Sequence, residues 1–156
     1  MKTSKALILA VLLGLASPAL AFDPDLGERI QQDVTGQLDQ QALAKGGLKV
    51  QSEQVLAMLA KGEHITLLDI RTPAEQAVVS LTHPKGIGIP LDQLFRKTNL
   101  ARLPADGQIV VICQSGERAA TATSLLRAVG FKNAYYLSGG LISLVTGLTP
   151  KTAPGP

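Results

Sequence analysis

One stretch of the chain combines an apolar strand, a tight polar loop and a helix, and it constrains the fold more than any other. Residues 109–112 are consecutive β-branched residues, which is typical of a central strand covered on both faces. Residues 119–129 are rich in alanine and place Leu125, Leu126 and Val129 at helical spacing, on the expected apolar face. The polar loop between strand and helix begins at Cys113, the only cysteine of the protein.

The position of Cys113 gives its thiol a specific chemical environment. Successive backbone N–H groups of a tight loop at a helix N-terminus favour an anion at the centre of the loop. A thiolate is an anion, so this loop favours the ionised, reactive form of the cysteine. The alternative is an inert core cysteine, since free cysteines are usually buried. The polar residues from Gln114 to Arg118 are difficult to bury, which favours the reactive thiol.

The rest of the chain alternates short apolar strands with helices. Predicted strands are residues 48–50, 65–70, 87–89, 109–112 and 134–137; predicted helices are 53–61 capped by Ser52, 119–129, and helices that start at Thr72, Pro90 and Leu141. This alternation predicts an α/β fold with a mainly parallel sheet of about five strands and helices on both faces. Sites in such sheets lie beyond the carboxyl ends of the strands, so we expect Cys113 and Asp69 to Arg71 at one rim.

The first residues have the pattern of an export signal. A basic start and an apolar run over residues 6–16 precede small residues at Ala19 and Ala21, the two positions that a signal peptidase reads. We expect residues 1–21 to be a cleaved signal peptide and the protein to be exported, most simply to a periplasm. The apolar run is shorter than the ~20 residues that span a bilayer, so a retained membrane anchor is the weaker alternative.

The net charge and the cysteine count exclude several classes of function. Lys2 and Lys5 lie in the expected signal, so their removal reduces the formal net charge of +3 to +1. With 3% aromatic residues and no basic run, nothing in the sequence predicts binding to nucleic acid. A single cysteine cannot form a disulfide within the chain, so the fold depends on its apolar core.

The two ends of the mature chain have different characters. Residues 22–47 are a polar extension that can form an amphipathic helix or remain loosely ordered. Its apolar residues recur every four positions, at Leu26, Ile30, Val34 and Leu38. Residues 48–148 are the predicted domain, and residues 149–156, with three prolines and a glycine, are a predicted flexible tail.

Four segments together resemble a single rhodanese domain, the fold of the sulfurtransferases. The segments are Leu67 to Glu75, His83 to Pro90, Cys113 to Arg118 and Leu137 to Gly140. They occur in the order of that family, at about its spacings, across residues 48–148. The resemblance implies a rhodanese-like three-layer fold and an enzyme that transfers sulfur.

The resemblance also implies a chemical mechanism. The Cys113 thiolate attacks the outer sulfane sulfur of a donor such as thiosulfate, becomes a persulfide, and passes that sulfur to cyanide or to a thiol. The implied substrate-binding loop consists of Gln114, Ser115, Gly116, Glu117 and Arg118. The N–H groups of this loop can hold the anionic thiolate and then the outer sulfur of the persulfide.

Several charged residues have two interpretations. Arg118 can bind an anionic sulfonate, or it can pair with Asp69 or Glu75 beneath the loop. Asp69, Arg71 and Glu75 are expected to support the scaffold rather than to react. Glu117 is a favourable acid in the first turn of a helix, but it makes the mouth of the site less cationic and so disfavours a dianion such as thiosulfate.

Other cysteine chemistries fit the sequence less well. Phosphatases and arsenate reductases with a related fold separate their cysteine and arginine by five residues, whereas four intervene between Cys113 and Arg118. A disulfide oxidoreductase would need a second cysteine. His83 precedes a proline in a turn and His64 lies in a loop, so neither predicts catalysis or a metal site, and no cofactor is expected.

The remaining alternative belongs to another class of protein. A non-catalytic persulfide carrier or regulatory binding module would accept sulfur from a protein partner on the same Cys113 thiol. Such a module would turn over free thiosulfate poorly. The sequence leaves both interpretations open, because both require the same thiolate.

Overall fold

The computed structural model describes residues 22–153 and is built on a parallel sheet. Its strands are β1 (Lys49–Val50), β2 (Ile65–Asp69), β3 (Gly86–Gly88), β4 (Gln108–Ile112) and β5 (Ala134–Leu137). They lie in the order β1-β5-β4-β2-β3, and every neighbouring pair is parallel. The predicted α/β fold with a sheet of about five strands is confirmed. The signal peptide predicted for residues 1–21 lies outside the described residues.

Helices connect and cover the strands. They are α1 (Pro24–Asp33), α2 (Gln40–Ala44), α3 (Ser52–Ala60), α4 (Pro73–Val78), α5 (Leu91–Leu94), α6 (Lys97–Leu100), α7 (Glu117–Ala128) and α8 (Gly140–Gly147), with a 3-10 turn at Thr35–Gln37. The connections between strands are long enough to contain helices, because the chain must cross back over the sheet before it can enter another parallel strand.

Strand β4 is central and separates two apolar layers. Side chains alternate along a strand, so Ile109 and Val111 face the layer that contains α7, while Val110 and Ile112 face the layer that contains α3 and α8. All four side chains are fully buried. This explains why the sequence of β4 is uniformly apolar and shows no alternation with polar residues.

Two details of the helices differ from the sequence-based expectation. Ser52 was expected to cap α3, but the cap is Gln51, whose side chain and that of Gln54 bond reciprocally to backbone N–H groups, and Ser52 is the first helical residue. On α7 the expected apolar residues Leu125 and Val129 are 47% and 53% exposed. The third expected apolar residue, Leu126, is buried. It shares the buried face of α7 with Arg127 and with smaller residues, which allow the helix to lie close to the sheet.

The N-terminal extension packs on the domain through the end of α1. Val34 is buried beside Leu48 and Ala128. The Arg127 guanidinium donates to the carbonyl oxygens of Asp33 (3.0 Å), Ala134 (3.2 Å) and Lys132. The extension is therefore attached to α7, although Leu26 and Ile30 of its apolar stripe remain partly exposed.

The other end of the described chain forms a hydrogen-bonded turn. Thr149 N donates to Thr152 Oγ1 (2.8 Å), and Thr152 Oγ1 donates to the carbonyl oxygen of Gly147 (2.7 Å). Residues 154–156 of the predicted tail lie outside the described residues. Between residues 22 and 153, no helix has both the length and the apolar character that crossing a membrane requires.

Candidate active site

The carboxyl ends of three neighbouring strands bring the predicted site residues to one rim. Asp69 at the end of β2 is in register with Ile112 at the end of β4, and Cys113 follows Ile112 directly. Leu137 ends β5, the neighbour of β4 on the other side. The structure therefore places the segment Asp69 to Arg71 beside the cysteine loop, as the parallel topology predicts.

The loop after β4 surrounds the Cys113 sulfur with backbone rather than with side chains. Gly116 N donates a hydrogen bond to Cys113 Sγ at 3.1 Å. Gly116 adopts a left-handed φ of 102°, and a Cβ there would lie 3.1 Å from Leu137 O. The amides of residues 114, 115, 117 and 118 donate to no acceptor among residues 22–153, so four backbone donors around the loop are free to bind an anion.

The thiol is less accessible than the polar sequence indicated. Cys113 is fully buried, in the same apolar layer as Ala119 and Ala122, so the expectation that its polar neighbours would keep it exposed is wrong. The side chains of Gln114, Ser115 and Glu117 extend into solvent while the sulfur turns inward. A reacting sulfur atom must therefore enter the loop to reach the thiol.

A glycine turn after β5 forms the wall of the loop. Leu141 N donates to Cys113 O at 2.8 Å, and Ile142 N donates to Gln114 O at 3.3 Å. Gly140 has a φ of 59°, and a Cβ there would lie 2.5 Å from Cys113 O. The two backbones are in contact, so the turn fixes where the loop carbonyls point.

Sequence reasoning missed a residue that supports this turn. The hydroxyl of Ser143 lies 2.6 Å from Ser138 O and 2.9 Å from Gly140 O. It bonds carbonyls on both sides of Gly139, the residue that caps the start of α8. The signal was a serine three residues after the paired glycines, which is too common a pattern to interpret without coordinates.

Arg118 forms an ion pair with Glu75. Its Nη1 and Nη2 donate to Glu75 Oε2 (3.0 Å) and Oε1 (2.6 Å). Glu75 Oε2 also accepts from Thr72 N and Thr72 Oγ1, both at 2.9 Å, within the box that caps α4. Of the two structural partners considered for Arg118, the structure selects Glu75, and the pair joins the cysteine loop to the start of α4.

The ion pair changes the proton affinity of both groups. The hydrogen bonds from Arg118, followed by those from Thr72, lower the pKa of Glu75 from 4.5 to about 2. The pKa of Arg118 is raised, mainly by its hydrogen bonds to Glu75, with a smaller contribution from the neighbouring Cys113 sulfur. Arg118 is therefore charged and close to the thiol, with its guanidinium fork on Glu75.

Replacing Glu75 with Gln should reveal this ion pair as a pH-dependent stability. Glutamine can retain the capping bonds but loses the charge, so we expect a loss of about 1 kcal/mol at pH 7, since the pair is partly solvated. The native carboxyl has the lower pKa, so its contribution is complete above pH 4.5 and decreases as the pH falls toward 2. Urea unfolding should show a smaller difference in unfolding free energy between wild type and variant at pH 3 than at pH 7. The same difference at both pH values would contradict a stabilising ion pair.

Asp69 and Arg71 form a second pair, which is buried beneath the rim. Arg71 is 1% exposed, and its Nε and Nη2 donate to Asp69 Oδ1 (3.0 Å) and Oδ2 (2.7 Å). Arg71 Nη2 also donates to Val79 O at 2.7 Å. Gln76 Nε2 donates to the carbonyl oxygens of Arg71 (3.0 Å) and Asp69 (3.3 Å), a contact that sequence reasoning did not identify. Asp69 and Arg71 therefore hold each other beneath the rim, and their supporting role stays a prediction.

Both histidines lie at the opposite edge of the sheet from Cys113. His64 precedes β2 and its Nδ1 is 3.6 Å from Asp106 Oδ2, while His83 precedes β3 and its Nδ1 accepts from Lys85 N at 3.1 Å. Across residues 22–153, no group of three or more histidine, cysteine, aspartate or glutamate side chains is arranged to hold a metal ion.

Comparison with known proteins gives a consistent result. The profile of the rhodanese-like domain family matches residues 51–144. A protein named sulfurtransferase from Allochromatium vinosum is 31% identical over 106 residues, which are 68% of this chain and 95% of that protein. The probable adenylyltransferase/sulfurtransferase MoeZ of Mycobacterium tuberculosis is 29% identical over 112 residues, which are 72% of this chain but only 28% of MoeZ.

A solved structure shows the same architecture. The rhodanese-related protein of Thermoplasma volcanium superposes with a TM-score of 0.55 at 27% sequence identity. The superposition covers 65% of this chain and 94% of that protein. The shared part is thus nearly the whole of the smaller protein, and this chain adds residues outside it.

Proposed function

The chain belongs to the rhodanese-like domain family, and from that membership we propose that it is a sulfurtransferase that works through a persulfide on Cys113. The observation that supports this proposal best is the geometry of the loop. A single thiol lies at its centre, with one amide already donating to the sulfur and four more without an acceptor in the described part of the chain. Such a loop stabilises negative charge on sulfur.

The proposed reaction has two steps. In the first, the Cys113 thiolate attacks the outer sulfur of a donor such as thiosulfate; a new S–S bond forms, the bond within the donor breaks, and sulfite leaves with the electron pair. In the second, cyanide or a thiol attacks the outer sulfur of the persulfide, and the thiolate is released. Negative charge stays on sulfur in both steps, so the same amides serve both.

The surroundings of the loop fit this role. Gly116 gives the left-handed backbone that brings an amide to the sulfur, and Gly140 holds the carbonyl of Cys113 on the other side. Arg118 lies in the first turn of the helix that follows the loop, and its guanidinium is bound to Glu75. We propose that Gln114, Ser115 and Glu117, which extend into solvent at the rim, contact the donor molecule.

We also propose where the protein works. The basic start, the apolar run and the small residues at Ala19 and Ala21 support export, most simply to a periplasm. In that compartment the persulfide would be exposed to oxidants, and the acceptor would be a thiol or cyanide present outside the cytoplasm.

A persulfide carrier is the second candidate. It is favoured by the full burial of Cys113, which restricts access, and by the relative MoeZ, whose name joins a sulfurtransferase to an adenylyltransferase. A carrier would load one sulfur atom but would turn over thiosulfate and cyanide slowly. Its acceptor would be a protein partner.

Intact mass spectrometry tests the proposal directly. Wild-type protein incubated with several sulfur donors should gain the mass of one sulfur atom, and cyanide should then remove it. Cys113→Ser should gain nothing, because no other thiol is present in the sequence. If no donor adds sulfur to wild type, both the enzyme and the carrier are excluded; fast loading with slow turnover would favour the carrier.

A further inference from the structure

We propose that the natural donor is an organic persulfide, R–S–SH, with an uncharged R group, and that Glu117 makes the site select against a small inorganic dianion such as thiosulfate. The inference rests on the proposed function, because it assumes that Cys113 accepts sulfur. It concerns which donor the rim admits. Two independent observations support it: the balance of charge at the rim and an apolar side chain, Ile142, exposed beside the loop.

The arginines at the rim are already neutralised. Both ends of the Arg118 guanidinium bind Glu75, and the Arg71 guanidinium binds both oxygens of Asp69 while being buried. A sulfonate group entering the site would have to compete with a carboxylate for either arginine. Recognition of thiosulfate, which carries two negative charges, would require the opposite arrangement, with a cationic fork free for its oxygens.

Glu117 adds a negative charge that has no such compensation. It is the first residue of α7, directly after Gly116, and its side chain is exposed. No lysine, arginine or histidine within residues 22–153 lies within 4.0 Å of its carboxylate. Since the Coulomb energy scales with the product of the charges, this charge repels a dianion about twice as strongly as a monoanion. A persulfide with an uncharged R group carries at most one negative charge.

An exposed neighbour of the loop suits an uncharged organic group. Ile142, whose amide donates to the carbonyl oxygen of Gln114, has a side chain that is 51% exposed. This aliphatic side chain offers contact to the R group of a donor and offers nothing to sulfonate oxygens.

The transfer balances without any further reactant. The Cys113 thiolate attacks the outer sulfur of R–S–SH, a bond forms between Sγ and that sulfur, and the S–S bond of the donor breaks. The thiolate R–S⁻ leaves with the electron pair, and the proton stays on the transferred sulfur. The slender –S–SH end can enter the narrow loop to the buried thiol, while the R group remains outside.

Rates of sulfur loading on the intact protein test the inference. The two donors are thiosulfate and the persulfide of 2-mercaptoethanol. To correct for the intrinsic reactivity of each donor, its rate constant for loading the protein is divided by its rate constant for reaction with a free small thiol. We expect Glu117→Gln to raise the ratio of the corrected thiosulfate rate to the corrected persulfide rate by about ten-fold. Added salt should reduce this effect. Glu63→Gln removes the same charge from an exposed site at the opposite edge of the sheet and should not change the ratio.

The outcomes separate the inference from the proposed function. If neither donor loads sulfur onto wild type, the proposed function fails and the inference fails with it. If both donors load sulfur but Glu117→Gln changes their ratio by less than two-fold, or wild type prefers thiosulfate, only the inference is overturned. A ratio that shifts equally in Glu63→Gln would assign the effect to net charge and would also overturn it.

Discussion

Gly140→Ala should cost roughly 3 kcal/mol or more of folding free energy and should also abolish sulfur loading, because it introduces strain and steric overlap together. Gly140 has a φ of 59°, which an alanine adopts only with strain. The new Cβ would lie 2.5 Å from Cys113 O and 2.6 Å from both the carbonyl carbon and oxygen of Gln114. These are backbone atoms of the cysteine loop, so relief requires the loop itself to move.

Urea unfolding and intact-mass loading measure the two effects. Gly62→Ala is a matched control, since Gly62 has a φ of 70° with nothing within 4 Å of its added Cβ. That control should lose only about 1 kcal/mol of folding free energy, the cost of the left-handed backbone conformation for an alanine, and it should load sulfur normally. Equal losses in the two variants would show that the contact between the glycine turn and the loop has no energetic role.

Arg71→Leu is the second change with a large expected effect, about 3–5 kcal/mol of destabilisation, because it leaves the Asp69 carboxylate buried without its partner. The carboxylate is almost inaccessible to water, and Val79 O loses its hydrogen bond as well. The exposed pair of Arg118 and Glu75 should be worth far less, since water can solvate either partner when the other is removed.

The double variant Asp69→Leu/Arg71→Leu serves as the control. It removes both charges, so we expect it to recover at least half of the loss in denaturant midpoint. If Arg71→Leu does not accumulate in folded form, Arg71→Lys should be stable enough to measure, with a smaller loss because it keeps the charge but not the fork. A single-variant cost below 1 kcal/mol would contradict the importance of the buried pair.

The strands and the rim could be predicted because they depend on local patterns. The four β-branched residues of β4 could only be a covered strand, and parallel topology then placed Asp69 and Cys113 at one edge. The start of a helix at Thr72 could also be predicted, since both hydrogen bonds of the capping box formed by Thr72 and Glu75 lie within one helical turn. These features need no knowledge of distant residues.

The features that sequence could not predict depend on contacts between distant segments. Burial of Cys113 depends on the apolar layer under α7, whose side chains come from several segments of the chain. The choice of Glu75 over Asp69 as the partner of Arg118 depends on where α4 lies in space and on the pairing of Asp69 with Arg71. The exposure of Leu125 and Val129 follows from how closely α7 approaches the sheet, which helical spacing alone does not determine.

The attachment of the N-terminal extension also has a consequence for the order of folding. Arg127 and the carbonyl of Asp33 that it binds are 94 residues apart in the chain. The end of α1 is made early by the ribosome, yet its docking surface exists only after α7 and β5 have been synthesised and packed. Closing so long a loop is entropically costly until that surface is formed. The segment that emerges first is therefore expected to dock last, and amide exchange in α1 should report the completion of the domain rather than its beginning.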